Sequence, residues 1–454
     1  MLRENINVLL NTCDCALCRH KLDFEIPDSL IQDFISGNVV LFAGSGVSTE
    51  SRDVLKQTLY DDIEEELGYE ESDLSFPELM GEYCGQIDGR SKLLSKIHGQ
   101  YRYIESFPEM YKIATGFHEN LATLFPLKTI VTTNWDTYFE DVCNATPFVS
   151  DRDLAFWENP ERRVLKIHGS INNYGSVVAT AADYQDCQKR LNTGLIGDVL
   201  KALLENKTIV FAGYSFTDPN FSNILGFVTR HVNELRKQAF VITPIREDCL
   251  KFDQNGIIPI NTDGVHFISL LKHHFVDQGL MLPDSIYCEA NALASAVRSE
   301  NTFFHNKYTC FDHPQMIYAS CYQDGMIHAL ERVSSQKCSG EYSQCYAIGR
   351  VVQPYLGMHK EKLKSKKYED VAYIEGYVNG LMFLLLDDKG KSEIEHPSLY
   401  YAFGIQHALH TLEDYDELID SLPDLHKSSY KRAKKIVGKF DSSNGDGFHH
   451  PPWL

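Results

Sequence analysis

Four short segments in the first half of the chain each close an apolar or β-branched run with small and polar residues. They are Phe42-Ala43-Gly44-Ser45-Gly46-Val47-Ser48, Thr132-Thr133-Asn134-Trp135-Asp136, Lys166-Ile167-His168-Gly169-Ser170 and Phe211-Ala212-Gly213-Tyr214-Ser215-Phe216. The runs that feed them are Val39 to Phe42, Thr129 to Val131, Val164 to Ile167 and Ile209 to Phe211. Short runs of this kind read as strands buried on both faces of a parallel sheet. In a doubly wound sheet, ligands bind outside the carboxyl ends of the strands, where all four segments fall. One crevice is then lined by glycines, an asparagine, an aspartate, a histidine and serines. Such a set suits a nucleotide and offers a base.

The rest of the chain sets bounds on this picture. With 454 residues, 43% of them hydrophobic, it can bury a sizeable core and more than one domain. No apolar run approaches the roughly 18 residues of a membrane span; the best is Leu381 to Leu386. The start, Met1-Leu2-Arg3-Glu4-Asn5, with only Val8-Leu9-Leu10 as an apolar stretch, does not read as a signal peptide. Twelve cysteines without scaffold spacing point to a reducing cytosol, so a cytoplasmic protein is expected. A net charge of −20 opposes general affinity for DNA or RNA, which needs clustered cations.

The first half reads as a series of α/β units. Asp28 or Ser29 is expected to cap a helix whose Leu30, Ile31, Phe34 and Ile35 share one face, with Gly37 as its end. Asp61 to Glu66 and Leu195 to Leu204 read as helices, and Ala239 to Ile242 and Val265 to Ile268 as further strands. Beyond about residue 280 the pattern turns helical, as in Ile374 to Leu386 and Leu399 to Leu412. The expected organisation is an arm at 1–27, a Rossmann-like α/β domain at 28–280 and a mainly helical regulatory or oligomerisation domain at 281–454. The tail from Asp441 to Leu454 reads as irregular.

Each motif has a chemical and a structural reading. Glycines at 44 and 46 let a backbone approach a pyrophosphate beside a helix start, but are equally compatible with a plain turn. No Gly-Lys-Ser/Thr follows, so the segment is not a P-loop. Asn134 and Asp136 offer an amide and a carboxylate at a strand end, or cap the helix that begins near Tyr138. His168 is either a base or a structural histidine. Gly213 to Asp218 ends a strand with small residues, or simply connects.

Taken in order, these segments resemble the sirtuin family. Gly44 to Ser48 is similar to its G-A-G-x-S loop, with Ser45 for the usual alanine. Thr133-Asn134-Trp135-Asp136 resembles its Q-N-x-D in the T-T-N form of the bacterial NAD-degrading branch. Lys166 to Ser170 is similar to that branch's K-L-H-G-S, Thr180 to Tyr184 to its T-x-x-D-Y, and Gly213 to Pro219 to its G-Y-S-F-x-D-P. The likeness covers roughly residues 30 to 280. It implies NAD as substrate, with the amides around Gly44 and Gly46, and Ser48, at the pyrophosphate, and Gly213 and Ser215 near the adenosine. Ser45, Thr133, Tyr214 and Asp218 complete the implied binding set. Asn134 would hold the nicotinamide ribose or a water, Asp136 the carboxamide, and His168 would be the general base.

Departures from the deacylase members point toward water as acceptor. The two C-x-x-C pairs that hold their zinc are missing: the next cysteines after His168 are Cys187 and Cys249. Arg52-Asp53-Val54-Leu55 stands where those members carry G-I-P-D-F-R. Hydrolysis of NAD without a catalytic metal is therefore expected. Cys13, Cys15, Cys18 and His20 carry zinc-ligand chemistry, but their spacing is cramped for one tetrahedral ion, and reduced cysteines on an arm are the preferred reading. The resemblance implies an antiphage effector that depletes NAD in abortive infection. The size of the helical region, which holds no motif for chemistry, leads to an expected homo-oligomer. A HerA-type ATPase, a phage protein or a nucleotide signal stand as alternative activators, and the sequence selects none of them. The alternatives are a non-catalytic nucleotide-binding scaffold and, further off, a deacylase or ADP-ribosyltransferase. Retention of both Asn134 and His168 favours the enzyme.

Overall fold

The computed structural model describes residues 24–48, 54–70, 72–159, 161–214, 238–401, 403, 409–422, 427–439 and 448–452. The cluster Cys13, Cys15, Cys18 and His20, the stretch from Arg52 to Asp53, and the site candidates Ser215 and Asp218 lie outside the described residues. The chain divides into two units, 1–274 and 275–454.

Among the described residues, the first unit is built on seven parallel strands. They are β1 (Val39–Ala43), β2 (Thr129–Thr132), β3 (Thr146–Phe148), β4 (Arg163–Lys166), β5 (Thr208–Ala212), β6 (Ala239–Ile242) and β7 (Ile258–Ile260), in the spatial order β3-β4-β2-β1-β5-β6-β7. The central strands β1 and β5 are buried at every residue, which is why their sequences carry no polar alternation. The chain winds outward from β1 to one side, then returns and continues from β5 on the other. The switch point of the sheet is therefore the β1–β5 seam, where ligand crevices form. All four sequence motifs leave strands at this carboxyl edge.

Helix α1 (Asp28–Ile35) buries Leu30, Ile31 and Phe34 and ends at Gly37, which takes a left-handed φ of 66°. Its N-cap position is Pro27, without a side-chain cap, rather than Asp28 or Ser29. Asp28 instead sits in the first turn, where a carboxylate favours the helix dipole. Among the described residues, five helices follow before β2: α2 (Leu59–Leu67), α3 (Phe76–Cys84), α4 (Gly89–Glu105), α5 (Pro108–Ala114) and α6 (Gly116–Ala122). Helix α2 covers the acidic stretch and starts from a capping box of Thr58 and Asp61. Leu59, Ile63, Leu79, Met80, Leu93, Ile97 and Tyr101 from this layer form a second core with Ile171, Val177 and Ala179. After β2 come α7 (Tyr138–Cys143), α8 (Ala181–Thr193), α9 (Leu195–Asn206), α10 (Arg246–Gln254) and α11 (Gly264–Asp277).

Two expectations are corrected here. Val265 to Ile268 is the first turn of α11, not a strand. Asp263 accepts the His266 amide at 2.8 Å through its side chain and the Phe267 amide at 3.0 Å through its carbonyl, so a helix start overrides β-branched composition. The last strand is the three-residue β7, with Pro259 at a sheet edge where a missing amide is tolerated. In the second unit, the described residues between Leu399 and Leu412 are not helical. A short turn ends at Leu399, and the next helix begins at Leu412 behind a Thr411–Asp414 capping box.

The second unit contains α12 (Ser285–Lys307), α13 (Met316–Ser335), α14 (Cys345–Lys364), α15 (Tyr368–Leu384), α16 (Asp388–Ser392), α17 (Leu412–Asp420) and α18 (Lys427–Val437). Helices α13 and α15 form its centre, and α13 is buried on nearly all sides. No helix among the described residues is long and apolar enough to cross a membrane.

Candidate active site

At the β1–β5 seam the two glycine segments interlock. Gly44 donates its amide to Ala212 O at 2.9 Å, and Gly46 to Gly213 O at 3.1 Å. A Cβ on Gly44 would lie 2.5 Å from Gly213 O, and one on Gly213 2.7 Å from the Val47 nitrogen. Gly213 also holds φ at 74°, a region closed to most side chains. The segment after Gly44 is a short 3₁₀ turn, Ser45–Val47, and the polar residues beyond Ser48, where a helix start is expected, lie outside the described residues. Its Val47 and Ser48 amides return to Gly44 O and Ser45 O. The amides of Gly44 and Gly46 are thus spent inside the protein. Their glycines act here by being small, bringing two strand ends close enough to form one floor.

Asn134 is the centre of a directional chain. Its backbone amide donates to Thr132 Oγ1 at 3.0 Å, whose hydroxyl donates to Ala43 O at 2.8 Å. Its side-chain Nδ2 donates to Gly44 O at 3.0 Å and to Ser48 Oγ at 3.2 Å. A carbonyl can only accept, so the amide orientation is fixed and Oδ1 faces away from Gly44. Oδ1 is buried and has no partner among the described residues. A buried acceptor left unpaired costs about 1–3 kcal/mol, which a donor from a ligand or water recovers. Ser48 in turn donates to Asp136 Oδ2 at 3.0 Å, and Asp136 Oδ1 accepts the Tyr138 amide at 3.2 Å. Asp136 therefore does cap the turn into α7, as the structural reading had it, and also faces the cavity. Thr133 and Tyr214 meet through their hydroxyls at 3.4 Å.

His168 follows β4. Gly169, at φ 84° and with no room for a Cβ against Ser176 O, turns the chain sharply behind it. The imidazole meets the Tyr184 ring edge-on at 4.9 Å. The T-x-x-D-Y segment explains that contact: Thr180 and Asp183 form the capping box that starts α8, Asp183 also binds Arg90 at 2.8 Å, and Tyr184 is carried onto the histidine. Burial, and then the Arg190 charge, push the His168 pKa down to about 4. The ring is accordingly neutral at physiological pH.

A cavity of about 490 Å³ joins these groups, within the range of small-molecule sites. Ser45, Gly46, Thr133, Asn134, Asp136, His168, Gly213 and Tyr214 line it, whereas Gly44 and Ser48 stand behind it and hold Asn134. Two parts of its wall were missed in the sequence. The helical layer contributes Thr58, Leu59, Phe76, Ile97, Gln100 and Tyr101, and the loop after β6 contributes Thr243, Pro244 and Ile245. The second is legible in the sequence, because Ala239 to Ile242 reads as a strand and its carboxyl end must face the same edge. The first carries no motif.

Burial also gives a pH signature. His118, wholly buried among the rings of Phe117, Tyr138 and Phe139, has its pKa pushed down to about 4 by desolvation, as His168 has. Unfolded, each would titrate near 6.5. Between about 4 and 6.5 the unfolded chain then binds more protons than the folded one, so stability is fully present above 6.5 and lost as pH falls toward 4. Each group contributes roughly 3 kcal/mol across that window. Thermal melts at stepwise lower pH are expected to show the α/β unit weakening from pH 6.5 downward, with His118→Leu flattening the slope. An unaltered slope in that variant would refute the assignment.

Residues 128–260, which span β2 to β7, match the family model described as a SIR2-like domain. The chain is 30% identical over 213 residues to a protein named NAD(+) hydrolase ThsA from Enterococcus faecium, covering 45% of this chain and 43% of that one. It is 24% identical over 263 residues to the NAD(+) hydrolase ThsA of Acinetobacter baumannii, covering 56% of this chain and 50% of that one. It is 26% identical over 242 residues to Defense-associated sirtuin 2 of Bacillus subtilis, covering 48% of this chain and 22% of that one. The chain thus spans half or less of the length of these relatives. The SIR2-like match lies within its first unit.

Proposed function

We propose that this chain is an NAD(+) hydrolase and that it serves as an effector of antiphage defence. The observation that carries the reading is the meeting of Asn134 and His168 in one cavity at the switch point of a SIR2-like domain. Relatives that match over this region carry the names NAD(+) hydrolase ThsA and Defense-associated sirtuin 2.

The reaction adds water across the bond between nicotinamide and ribose C1′, giving nicotinamide, ADP-ribose and a proton. The bond breaks toward an oxocarbenium-like centre, as in glycoside hydrolysis, and the leaving group departs neutral, so no strong acid is needed. Neutral His168 takes the proton of the attacking water. Asn134 Oδ1 accepts a hydrogen bond from that water or from a ribose hydroxyl, and so fixes its position. Asp136 is assigned to the carboxamide, and Ser45, Gly46, Gly213, Tyr214 and Thr243 to the nucleotide. The glycine amides at 44 and 46 are not given to the pyrophosphate. No metal has a part in this chemistry. The helical unit is assigned to assembly or to restraint of the enzyme until it is triggered. A scaffold that merely bound a nucleotide would need neither the neutral imidazole nor the oriented amide.

Incubation of the full chain with NAD, alone and with neighbouring gene products, followed by product chromatography, tests the reading. Equal amounts of nicotinamide and ADP-ribose, unaffected by a chelator, are expected. Intact NAD retained on the protein under every condition would instead identify a binding subunit.

A further inference from the structure

Lys166 is the last residue of β4, two positions before His168, and its side chain is wholly buried. Its ammonium donates to the backbone carbonyl of Asp136 and pairs with Glu140 Oε1, from α7, at 3.0 Å. It does not line the cavity, so it serves as neither base nor phosphate ligand. We propose that Lys166 is a positioning residue, whose ammonium holds the Asn134–Asp136 loop in register with the strand that carries His168. The proposal rests on the NAD-cleaving reading of this site.

The hydrogen bonds form an unbroken path. Lys166 grips the Asp136 peptide, the Asp136 carboxylate accepts from Ser48, and Ser48 accepts from the Asn134 amide. The two side chains assigned to the chemistry arrive on different strands, β2 and β4, and this ammonium bridges the residues that follow one strand to the end of the other. Stability alone is a poor reason for such a pair. Removing an ammonium and a carboxylate from water costs several kcal/mol per ion, and packed apolar residues of similar volume are often as stable or more so. Glu140 shows the strain of that arrangement: its Oε2 has no partner among the described residues, and burial raises its pKa. What an apolar pair cannot supply is a directional bond to one peptide carbonyl. A misplacement of about 1 Å can cost about 10²-fold in rate.

The test uses the full chain with two variants. Lys166→Met with Glu140→Leu replaces the pair by apolar residues and leaves no orphaned charge. Glu140→Gln keeps the ammonium on the Asp136 carbonyl. Hydrogen–deuterium exchange of residues 133–137 is read beside steady-state NAD cleavage. In the double variant, loop exchange is expected to rise at least tenfold and kcat to fall about 30- to 100-fold with KM within about threefold. Glu140→Gln is expected to stay within about fivefold of the parent in kcat. Unchanged loop exchange would overturn the proposal whether or not NAD is cleaved. Faster exchange with kcat intact would overturn it too. So would exchange rising across the whole unit, or a failure to fold, since the pair would then be general cement. Absence of cleavage by the parent protein would count against the NAD reading alone, while exchange still decides whether Lys166 holds the loop.

Discussion

His168→Ala and Asn134→Ala are each expected to abolish NAD cleavage while the protein remains folded. A positioned general base contributes about 10²–10⁴-fold, so nicotinamide release should fall by at least about 100-fold in the first variant. The fold should tolerate the change. The neutral imidazole makes an edge contact with Tyr184, and its removal leaves the Thr180–Asp183 capping box that starts α8 in place. Asn134→Ala removes the oriented Oδ1 and leaves Gly44 O and Ser48 Oγ without one donor, a loss of about 1–3 kcal/mol per unmet group. Asn134→Asp is the sharper probe, because a carboxylate oxygen would then face the Gly44 carbonyl. Circular dichroism and melting would establish that the variants fold. Turnover within tenfold of the parent in either folded variant would remove the proposed mechanism.

Much of the site could be read from the chain because parallel strands write plainly. Val39 to Phe42 and Ile209 to Phe211 are buried on both faces and so are apolar throughout, and the polar residues that follow fall at the ligand edge. What the sequence hides is direction. The resemblance implies Ser48 at the pyrophosphate, and what no local pattern tells is that its hydroxyl bonds Asp136, 88 positions away. Gly44 and Gly46 read as amide donors, yet those amides close onto Ala212 and Gly213. Lys166 opens the Lys166 to Ser170 motif, and its side chain is wholly buried against Glu140. These roles depend on long-range pairing that local pattern does not encode. Val265 to Ile268 failed for the opposite reason: a strand-like composition yielded to one aspartate that caps a helix.

Substituting Gly376 or Gly325 by alanine is expected to unfold the helical unit, although both look like weak points within helices. Glycine in a helix interior normally costs about 1 kcal/mol against alanine, so the bland expectation is a gain. The geometry reverses the sign. A Cβ on Gly376 of α15 would stand 1.8 Å from Tyr322 O, and one on Gly325 of α13 would stand 2.0 Å from Tyr373 O. The obstacle in both cases is the backbone of the facing helix, which cannot rotate aside as a side chain can. Each glycine thus receives the other helix at the residue three before its partner glycine, in a reciprocal contact. Admitting a methyl forces α13 and α15 apart along a core that includes Tyr318, Tyr322, Tyr373 and Tyr377. Overpacking of a rigid core costs about 1–3 kcal/mol and more where backbone must move. A loss of several degrees or of the whole transition for this unit should therefore be seen in calorimetry of the full chain. Gly357→Ala supplies the control: it lies on the exposed side of α14 with nothing within 4 Å of a new Cβ, so it should be neutral or stabilising by up to about 1 kcal/mol. If Gly376→Ala melts with the parent protein, the close approach of α13 and α15 is not what holds the helical unit together.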